Sequence, residues 1–318
     1  MSGGPEIAVV VPAHGRPLRL RWLLNALQEQ TLERSRFELL VATTQDDLAE
    51  LAAGHPVGAE VVRPERPAPS IQRNAGWRAA TAPLVAFTDD DCRPPAEWLA
   101  RLLARAVAHP GAIVQGATRP DPDEDALAAR SPRARTMNVT PPTAWGESCN
   151  ILYPRAVLER LGGFDEAFPE PAGEDTDLAQ RALAAGTPLV GAPEALTFHA
   201  VDVPTLAGSL RGLRRWRHVP AVVKRHPGLR RGMPLGIFWK PRHAWLALAL
   251  AGLPLARRHP WLAVALALPW ARAATPSYGR SPRGLARAAA ELPARALLDA
   301  AEMAHVARGA AAQRTVLL

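Results

Sequence analysis

The sequence predicts an α/β fold, a mixed and mostly parallel sheet flanked by helices, followed by a basic, partly hydrophobic helical region. Through residue 200, short apolar runs bounded by Gly, Pro or charge alternate with amphipathic runs of helical period. Such alternation implies parallel strands joined by crossover helices, with both faces of the sheet covered. Charge divides the chain at the same place: residues 1–200 hold 19 Lys and Arg against 26 Asp and Glu, whereas 201–318 hold 19 against 4. A chain of 318 residues with 48% hydrophobic content has room for one large domain or two modest ones. The division is expected between an α/β domain over 1–204 and a basic helical region over 205–318.

The strands are expected, in order, in "IAVVVPA", "FELLVA", "AEVV", "PLVAF", "AIVQG" and "EALTFH". In "PLRLRWLLNALQEQ", Leu20, Leu23, Leu24 and Leu27 fall on one helix face, and Pro17 suits a first helical turn. Ser70 is placed to cap "IQRNAGWRAA", and Pro94-Pro95 to open "AEWLARLLARAVA". Residues 119–144, rich in Pro and charge, read as a long surface loop or lid. The N-terminus lacks a basic n-region, so its apolar run reads as the first strand rather than a secretory signal. Cys92 and Cys149 form no CxxC pair, which fits a reducing, cytoplasmic compartment.

Beyond residue 205 the pattern is basic and helical. The apolar stretches "AWLALALAGLPLA" and "PWLAVALALPWA" flank Arg257-Arg258-His259, and each is shorter than the ~20 residues that span a bilayer. One span across 244–271 would bury two arginines near mid-membrane. Two short helices lying in the membrane interface, with Trp239, Trp245, Trp261 and Trp270 at interfacial depth, are one reading; a hairpin packed in a protein core is the other. The cationic balance suits an anionic partner, and the long apolar runs suit a lipid surface better than nucleic acid.

Three consecutive carboxylates, Asp89, Asp90 and Asp91, follow the strand "PLVAF", where ligands bind in open α/β sheets. Adjacent carboxylates there suit a divalent cation that holds substrate phosphates, or they are a solvated loop. Glu174 and Asp175 open an amphipathic helix, where a carboxylate either interacts with the helix dipole or accepts a proton from a hydroxyl. His199, closing a strand, is a nitrogen ligand or a strand-end histidine.

The blocks "VVVPAHGRP", "QRNAGWRAA", "FTDDDCRPPAEWL", "NILYPRAVLERLGGFDEAF" with "GEDTDLAQRALAAG", and "FHA" together resemble the family 2 glycosyltransferases of the GT-A fold over about residues 5–200. The resemblance implies an inverting, nucleotide-sugar-dependent transferase. It places the DxD motif on Asp89 and Asp91, contacting the donor ribose and a Mn²⁺ or Mg²⁺, with Asp90 between them at the donor end. It puts Pro12, Ala13 and Arg16 in the nucleotide pocket, matches Arg73 and Asn74 to a basic-Asn-x-Gly element, and sets Asn150 in a sugar-side strand. Asp175 would be the base, Glu174 its companion, and His199 a third metal contact. The family's Asp pair after the second strand is replaced by "LLVATTQDD", leaving Thr43, Thr44 or Asp46 to meet the nucleobase. The resemblance implies a nucleotide-sugar donor and a hydroxyl acceptor as partners; the basic, apolar C-terminal region points to a lipid-linked or cell-envelope acceptor and to the inner face of the membrane. Alternatives are a nucleotidyltransferase-like enzyme, for which "VVVPAHGRP" has too little glycine, or a non-catalytic nucleotide-sugar or membrane-binding module.

Overall fold

All six residues of strand β1 (Ile7–Pro12) are buried in the computed structural model, which describes residues 4–168, 170–275, 278–279 and 281–318. A strand buried on both faces needs parallel neighbours and helices above and below it. On one side β2 (Phe37–Ala42) and then β3 (Glu60–Val62) extend the sheet in parallel; on the other lies β4 (Leu84–Thr88), also parallel. Beyond it the sheet turns mixed, with β5 (Cys92–Arg93), β6 (Ile113–Pro120), β7 (Asn150–Pro154) and β8 (Leu189–His199) giving the order β3-β2-β1-β4-β7-β6-β8-β5.

Alternate β1 side chains enter two different cores, as the period of two requires. Ile7, Val9 and Val11 meet Leu20, Leu23, Leu24 and Leu27 of α1 (Pro17–Gln28), Leu48 of α2 (Asp46–Ala53) and, on the same side of the sheet, Trp98 and Leu102 from a later helix. Ala8 and Val10 face the opposite layer: Trp77 of α3 (Pro69–Ala79) and, from two later helices, Val157, Leu158, Leu178 and Ala182. Those later helices are α4 (Trp98–Ala108), carrying Trp98 and Leu102, then α5 (Asp125–Arg130), which belongs to neither layer, and α6 (Arg155–Leu161) and α7 (Glu174–Ala184) of the second layer.

Local departures from expectation have local causes. The cap of α3 is Ala68; Ser70 lies inside the first turn, where its hydroxyl donates to the Phe168 carbonyl at 3.3 Å. Helix α4 starts at Trp98 rather than at the proline pair, because a residue before proline is pushed out of the helical region and Arg93 and Pro94 both precede one. Arg93 instead pairs with Phe198 in β8. The 119–144 stretch is structured, containing a 3₁₀ turn at Pro122–Glu124, helix α5, and bridges Thr118–Val139 and Arg135–Asp202.

The chain separates into two compact units, one comprising residues 1–128 and 135–202, the other 129–134 and 203–318. The second unit contains α8 (Leu206–Gly212), α9 (Val219–Arg225), α10 (Pro241–Gly252), α11 (Pro260–Ala274) and the long α12 (Pro282–Gln313). Leu246 of α10 and Trp270 and Ala274 of α11 pack with Leu292, Ala296 and Met303 of α12. Beside them Trp270 donates to Asp299 at 3.1 Å, Arg242 pairs with Asp299 at 3.2 Å and Lys240 with Glu302 at 2.5 Å. Burial alone would raise the Glu302 pKa, but His243 and Lys240 outweigh it and hold the carboxyl at about 2. No described helix is long and apolar enough to cross a membrane.

The register of β6 and β8 shifts between Gly116 and Ala117, so that Pro193 to Ala195 form a bulge in β8. A Cβ at Gly116 would lie 2.3 Å from both the Ala195 carbonyl and the Asn150 amide nitrogen. Gly116→Ala is therefore expected to lower unfolding free energy by ~1–3 kcal/mol, read from urea denaturation; an unchanged midpoint would show that the bulge can move aside.

Candidate functional site

The winding of the sheet reverses at β1, with β2 and β4 on its two sides, and the carboxyl ends of β1 and β4 lie together there. In open α/β sheets this switch point is the ligand crevice. Pro12 ends β1 beside Ala42, and Ala13 is fully buried. Gln72 of α3 fastens both strand ends, donating to the carbonyls of Ala13 at 3.0 Å and Ala42 at 2.9 Å. Across the crevice Thr88 ends β4 and delivers the three aspartates.

Each aspartate takes a different partner. Asp89 accepts from Arg73 Nη2 at 2.7 Å. Asp90 is 4% exposed; one oxygen accepts from the His14 backbone N–H at 2.9 Å and the other from Arg16 Nη1 at 2.9 Å. Arg16 Nη1 also meets Asp91 Oδ2 at 2.6 Å. Burial pushes the Asp90 carboxyl up to about 7, opposed by Arg16 and reinforced by Asp91. Burial raises Asp91 as well, against the pull of His199 and Arg16.

Asp89, Asp91 and His199 bring one ligand atom each to within 4.8 Å of one another. Asp91 Oδ1 is buried without a hydrogen-bond partner and lies 3.5 Å from His199 Nε2. The other ring nitrogen of His199 lies 2.9 Å from the Ala200 carbonyl, which fixes the imidazole. Two carboxylates, an imidazole and an orphaned buried oxygen fit a divalent cation such as Mn²⁺ or Mg²⁺.

A second acidic pair is tied to the first. Arg73 is 4% exposed, and its other guanidinium nitrogen donates to Glu174 Oε1 at 2.9 Å. Burial opposes its charge, but Asp89, Glu174 and Asp175 more than compensate, so its pKa stands above the usual arginine value. Gly173, at φ 100°, turns the chain into α7 and sets Glu174 and Asp175 in the first turn. Asp175 Oδ1 accepts from the Thr176 N–H at 2.8 Å. Loss of solvent pushes the Asp175 carboxyl up to about 7; the neighbouring Glu174 charge adds to this, and Arg73 and the Thr176 N–H pull against it. A group half ionised near neutrality can take a proton.

Asn74 and Asn150 are brought to the site's walls with their amides already engaged. Asn74 donates to the Phe164 carbonyl and to Glu166, and accepts from Trp77 and the Phe164 N–H, which ties α3 to the 163–166 turn. Asn150 donates to the carbonyls of Ala117 and Ala195, both at 2.8 Å, and accepts from Trp98 at 2.8 Å. Both residues shape the walls by binding protein atoms. At the end of β2, Thr43 is fully buried and Asp46 is exposed, paired with Arg63 at 2.8 Å. Gln45 accepts from the Gly15 N–H at 2.6 Å.

Two site residues escaped the sequence reading. Gln72 clamps the strand ends, and Glu147, held by Gln115 at 2.8 Å and by Thr143, adds negative charge near Asp175. A glutamine inside a helix and a glutamate inside a loop carry no spacing signal, so neither could be picked out. Removing Arg73 would strand Asp89 and the buried Glu174 without their cation. Arg73→Met should destabilise the protein by ~3–5 kcal/mol, measured as a lower unfolding midpoint at pH 8; a variant as stable as the parent would mean that water replaces the guanidinium.

The Glycosyl transferase family 2 profile matches residues 8–162. The succinoglycan biosynthesis protein ExoM of Rhizobium meliloti is 30% identical over 257 residues, covering 73% of this chain and 80% of ExoM. Validoxylamine A glucosyltransferase of Streptomyces hygroscopicus subsp. jinggangensis is 26% identical over 263 residues, 71% of this chain and 62% of that protein, so the chain spans about six tenths of that relative's length. Among solved structures, the mannosyltransferase PcManGT from Pyrobaculum calidifontis, in complex with GDP-Man and Mn²⁺, superposes with TM-score 0.55 at 22% identity over 97% of this chain and 88% of that one. TarS of S. aureus, in complex with UDP, superposes with TM-score 0.50 at 15% identity over 98% and 92%. These two show the fold, which is of the GT-A type; the family profile and the match to ExoM show that the chain belongs to glycosyl transferase family 2.

Proposed function

We propose that the protein is a metal-dependent glycosyltransferase that moves a sugar from a nucleotide-sugar donor to an acceptor hydroxyl with inversion. The observation that carries this reading is the pairing of two acidic centres across Arg73: Asp89, Asp91 and His199 at the end of β4, and Glu174 and Asp175 at the start of α7. A bound Mn²⁺ or Mg²⁺ at Asp89, Asp91 and His199 would neutralise charge developing on the departing diphosphate. Arg16, at the mouth of the nucleotide pocket, is placed for the same anion. Asp175 takes the proton of the acceptor hydroxyl as its oxygen bonds to the anomeric carbon. The electron pair of the broken bond leaves with the nucleoside diphosphate. One displacement inverts the carbon, and no second nucleophile is needed. Glu174, anchored by Arg73, holds the helix start on which Asp175 sits. The alternatives of a nucleotidyltransferase or a non-catalytic module lose ground to family membership and to this paired geometry.

ExoM is named for succinoglycan biosynthesis, which supports a glycan acceptor of the cell envelope. The neighbouring structures hold GDP-Man and UDP, so the base is not transferable from them; Thr43, Thr44, Gln45 and Asp46 are where this chain would meet it. A peripheral contact with the cytoplasmic face of a membrane is supported by the second unit's surface. Leu250, Leu253, Trp261, Val264 and Leu268 of the α10–α11 region are exposed, and Arg257, Arg258 and His259 between the helices are exposed with them. Residues 203–318 hold 19 Lys and Arg but only Glu291, Asp299 and Glu302, and all three carboxylates are engaged with neighbouring side chains. That surface suits interfacial insertion beside anionic headgroups. Both cysteines are free and buried, in keeping with a reducing compartment.

The function is tested by incubating the protein and Mn²⁺ with a panel of nucleotide sugars and following nucleoside diphosphate release; no release from any donor, with or without glycan-lipid extract, would overturn it. Asp175→Asn should reduce turnover by ~10²-fold or more with donor affinity little changed. An Asp175 pKa of about 7 means that the reactive carboxylate is lost as pH falls, so kcat/KM should rise through pH 7 and level off above it. A flat profile between pH 6 and 8 would remove Asp175 as the base. For the membrane contact, flotation on anionic liposomes should fall when Trp261, Val264 and Leu268 are replaced by Ser, with nucleotide binding and thermal stability retained, since all three are exposed. Absence of flotation of the parent at low salt would discard the membrane reading alone.

A further inference from the structure

Two arginines answer the charge of the aspartate triplet, and they differ in freedom. Arg73 is buried and held at both ends, by Asp89 and by Glu174. Arg16 immediately precedes α1, its side chain is 43% exposed, and both of its carboxylate contacts run through a single nitrogen, Nη1. It can leave the site without opening the core. Its partner Asp91 is shared: Oδ2 lies 2.6 Å from Arg16, while Oδ1 is buried, unpartnered and turned toward His199. A divalent cation among Asp89, Asp91 and His199 would thus sit beside a guanidinium on the same carboxylate, in a pocket where burial weakens screening. The two cations repel.

We propose that Arg16 makes uptake of the divalent cation depend on the nucleoside diphosphate, acting as a positioning residue whose charge neutralises Asp90 and Asp91 until an anion draws it away. This rests on the transferase reading of the site and adds to it an order of events. Without the diphosphate, Arg16 balances two of the three aspartates and opposes a second cation. A diphosphate offers the guanidinium a bidentate acceptor of higher charge. Once Arg16 turns to it, Asp91 is returned to the cation, and the anion that took the arginine also favours the metal. Linkage makes the effect reciprocal, so the cation strengthens diphosphate binding by the same factor. The arrangement keeps the site from holding a metal that has no donor to serve.

The test measures Mn²⁺ binding to the full chain by electron paramagnetic resonance of the free ion, with protein alone and with UDP, GDP or inorganic pyrophosphate present, corrected for Mn²⁺ bound by the anion itself. The parent should bind Mn²⁺ at least ~10-fold more tightly with a diphosphate than without. Arg16→Met should bind Mn²⁺ alone ~10-fold more tightly than the parent and lose ~10-fold of the coupling to the diphosphate, the rest being the anion's own attraction for the metal. Arg16→Lys, retaining the charge without the fork, should bind Mn²⁺ alone as weakly as the parent, and circular dichroism should show all three folded, with Arg16→Met melting lower because Asp90 and Asp91 lose their cation. Arg16→Met binding Mn²⁺ alone no more tightly than the parent would overturn the proposal, as would tight Mn²⁺ binding by the parent without any diphosphate; both leave the transferase reading standing. Failure of the parent to take up Mn²⁺ under every condition would overturn the proposal and the metal-dependent reading together.

Discussion

The buried guanidinium of Arg73 is the constraint around which the catalytic unit is arranged. A charge at 4% exposure is costly unless it is paired, and its two partners come from different parts of the chain: Asp89 after β4 and Glu174 at the start of α7. The three groups stabilise one another only when α3, β4 and α7 are all in place. One arginine therefore fixes the distance between Asp89 and the Glu174–Asp175 pair. Its ring neighbour Phe164, 5.6 Å from the guanidinium carbon, and Asn74 one residue on secure the 163–166 turn against the same helix. Glu174 is thereby held at the start of α7, beside Asp175.

Much of this was readable from sequence because the signals were strong and local. The buried β1 and β2 are continuous apolar runs, α1 carries its four leucines on one face, and Gly173 with two acids marks the start of α7. What escaped depended on contacts distant in sequence. Strand β5 has two residues, too few for any periodicity, and exists because Cys92 and Arg93 find partners in β8. Strand β8 begins five residues before the expected "EALTFH", running through Gly191 and Pro193, which read as breakers; it persists through them because the bulge opposite Gly116 accommodates the extra residues. The roles of Asn74 and Asn150 could not be settled from sequence either, since an amide in a motif looks the same whether it faces a sugar or two backbone carbonyls.

The second unit illustrates a different limit. Its net charge was plain in the sequence, yet composition alone does not tell where the few carboxylates go. Asp299 and Glu302 lie one helical turn apart on α12, both buried, and hold the start of α10 through Lys240, Arg242 and His243. Their charge is consumed inside the unit, so its surface is more cationic than a uniform distribution of the same residues would make it. The apolar runs are likewise divided: Leu246 and Trp270 pack inward, whereas Trp261, Val264 and Leu268 remain in solvent. The helix pair thus packs one face against α12 and leaves the other in solvent.

Three adjacent aspartates at a buried strand end would repel one another if they were equivalent, and the structure makes them inequivalent. Asp89 is the least buried member and turns to Arg73. Asp90 turns back to β1, where the His14 N–H and Arg16 receive it, and so closes the crevice floor between the two strand ends. Asp91 is divided between Arg16 and the imidazole, with one oxygen unspent. Burial disfavours ionisation of the middle carboxylate, holding it at about 7, against the pull of Arg16 and the His14 N–H. The three are thus not equivalent: Asp89 and Asp91 lie with His199 where a metal ion could be held, while Asp90 binds protein, and the turn closed by the Cys92 N–H donating to the Asp89 carbonyl at 3.1 Å sets them apart. The residue between the two outer aspartates thereby serves the fold, joining the ends of β1 and β4.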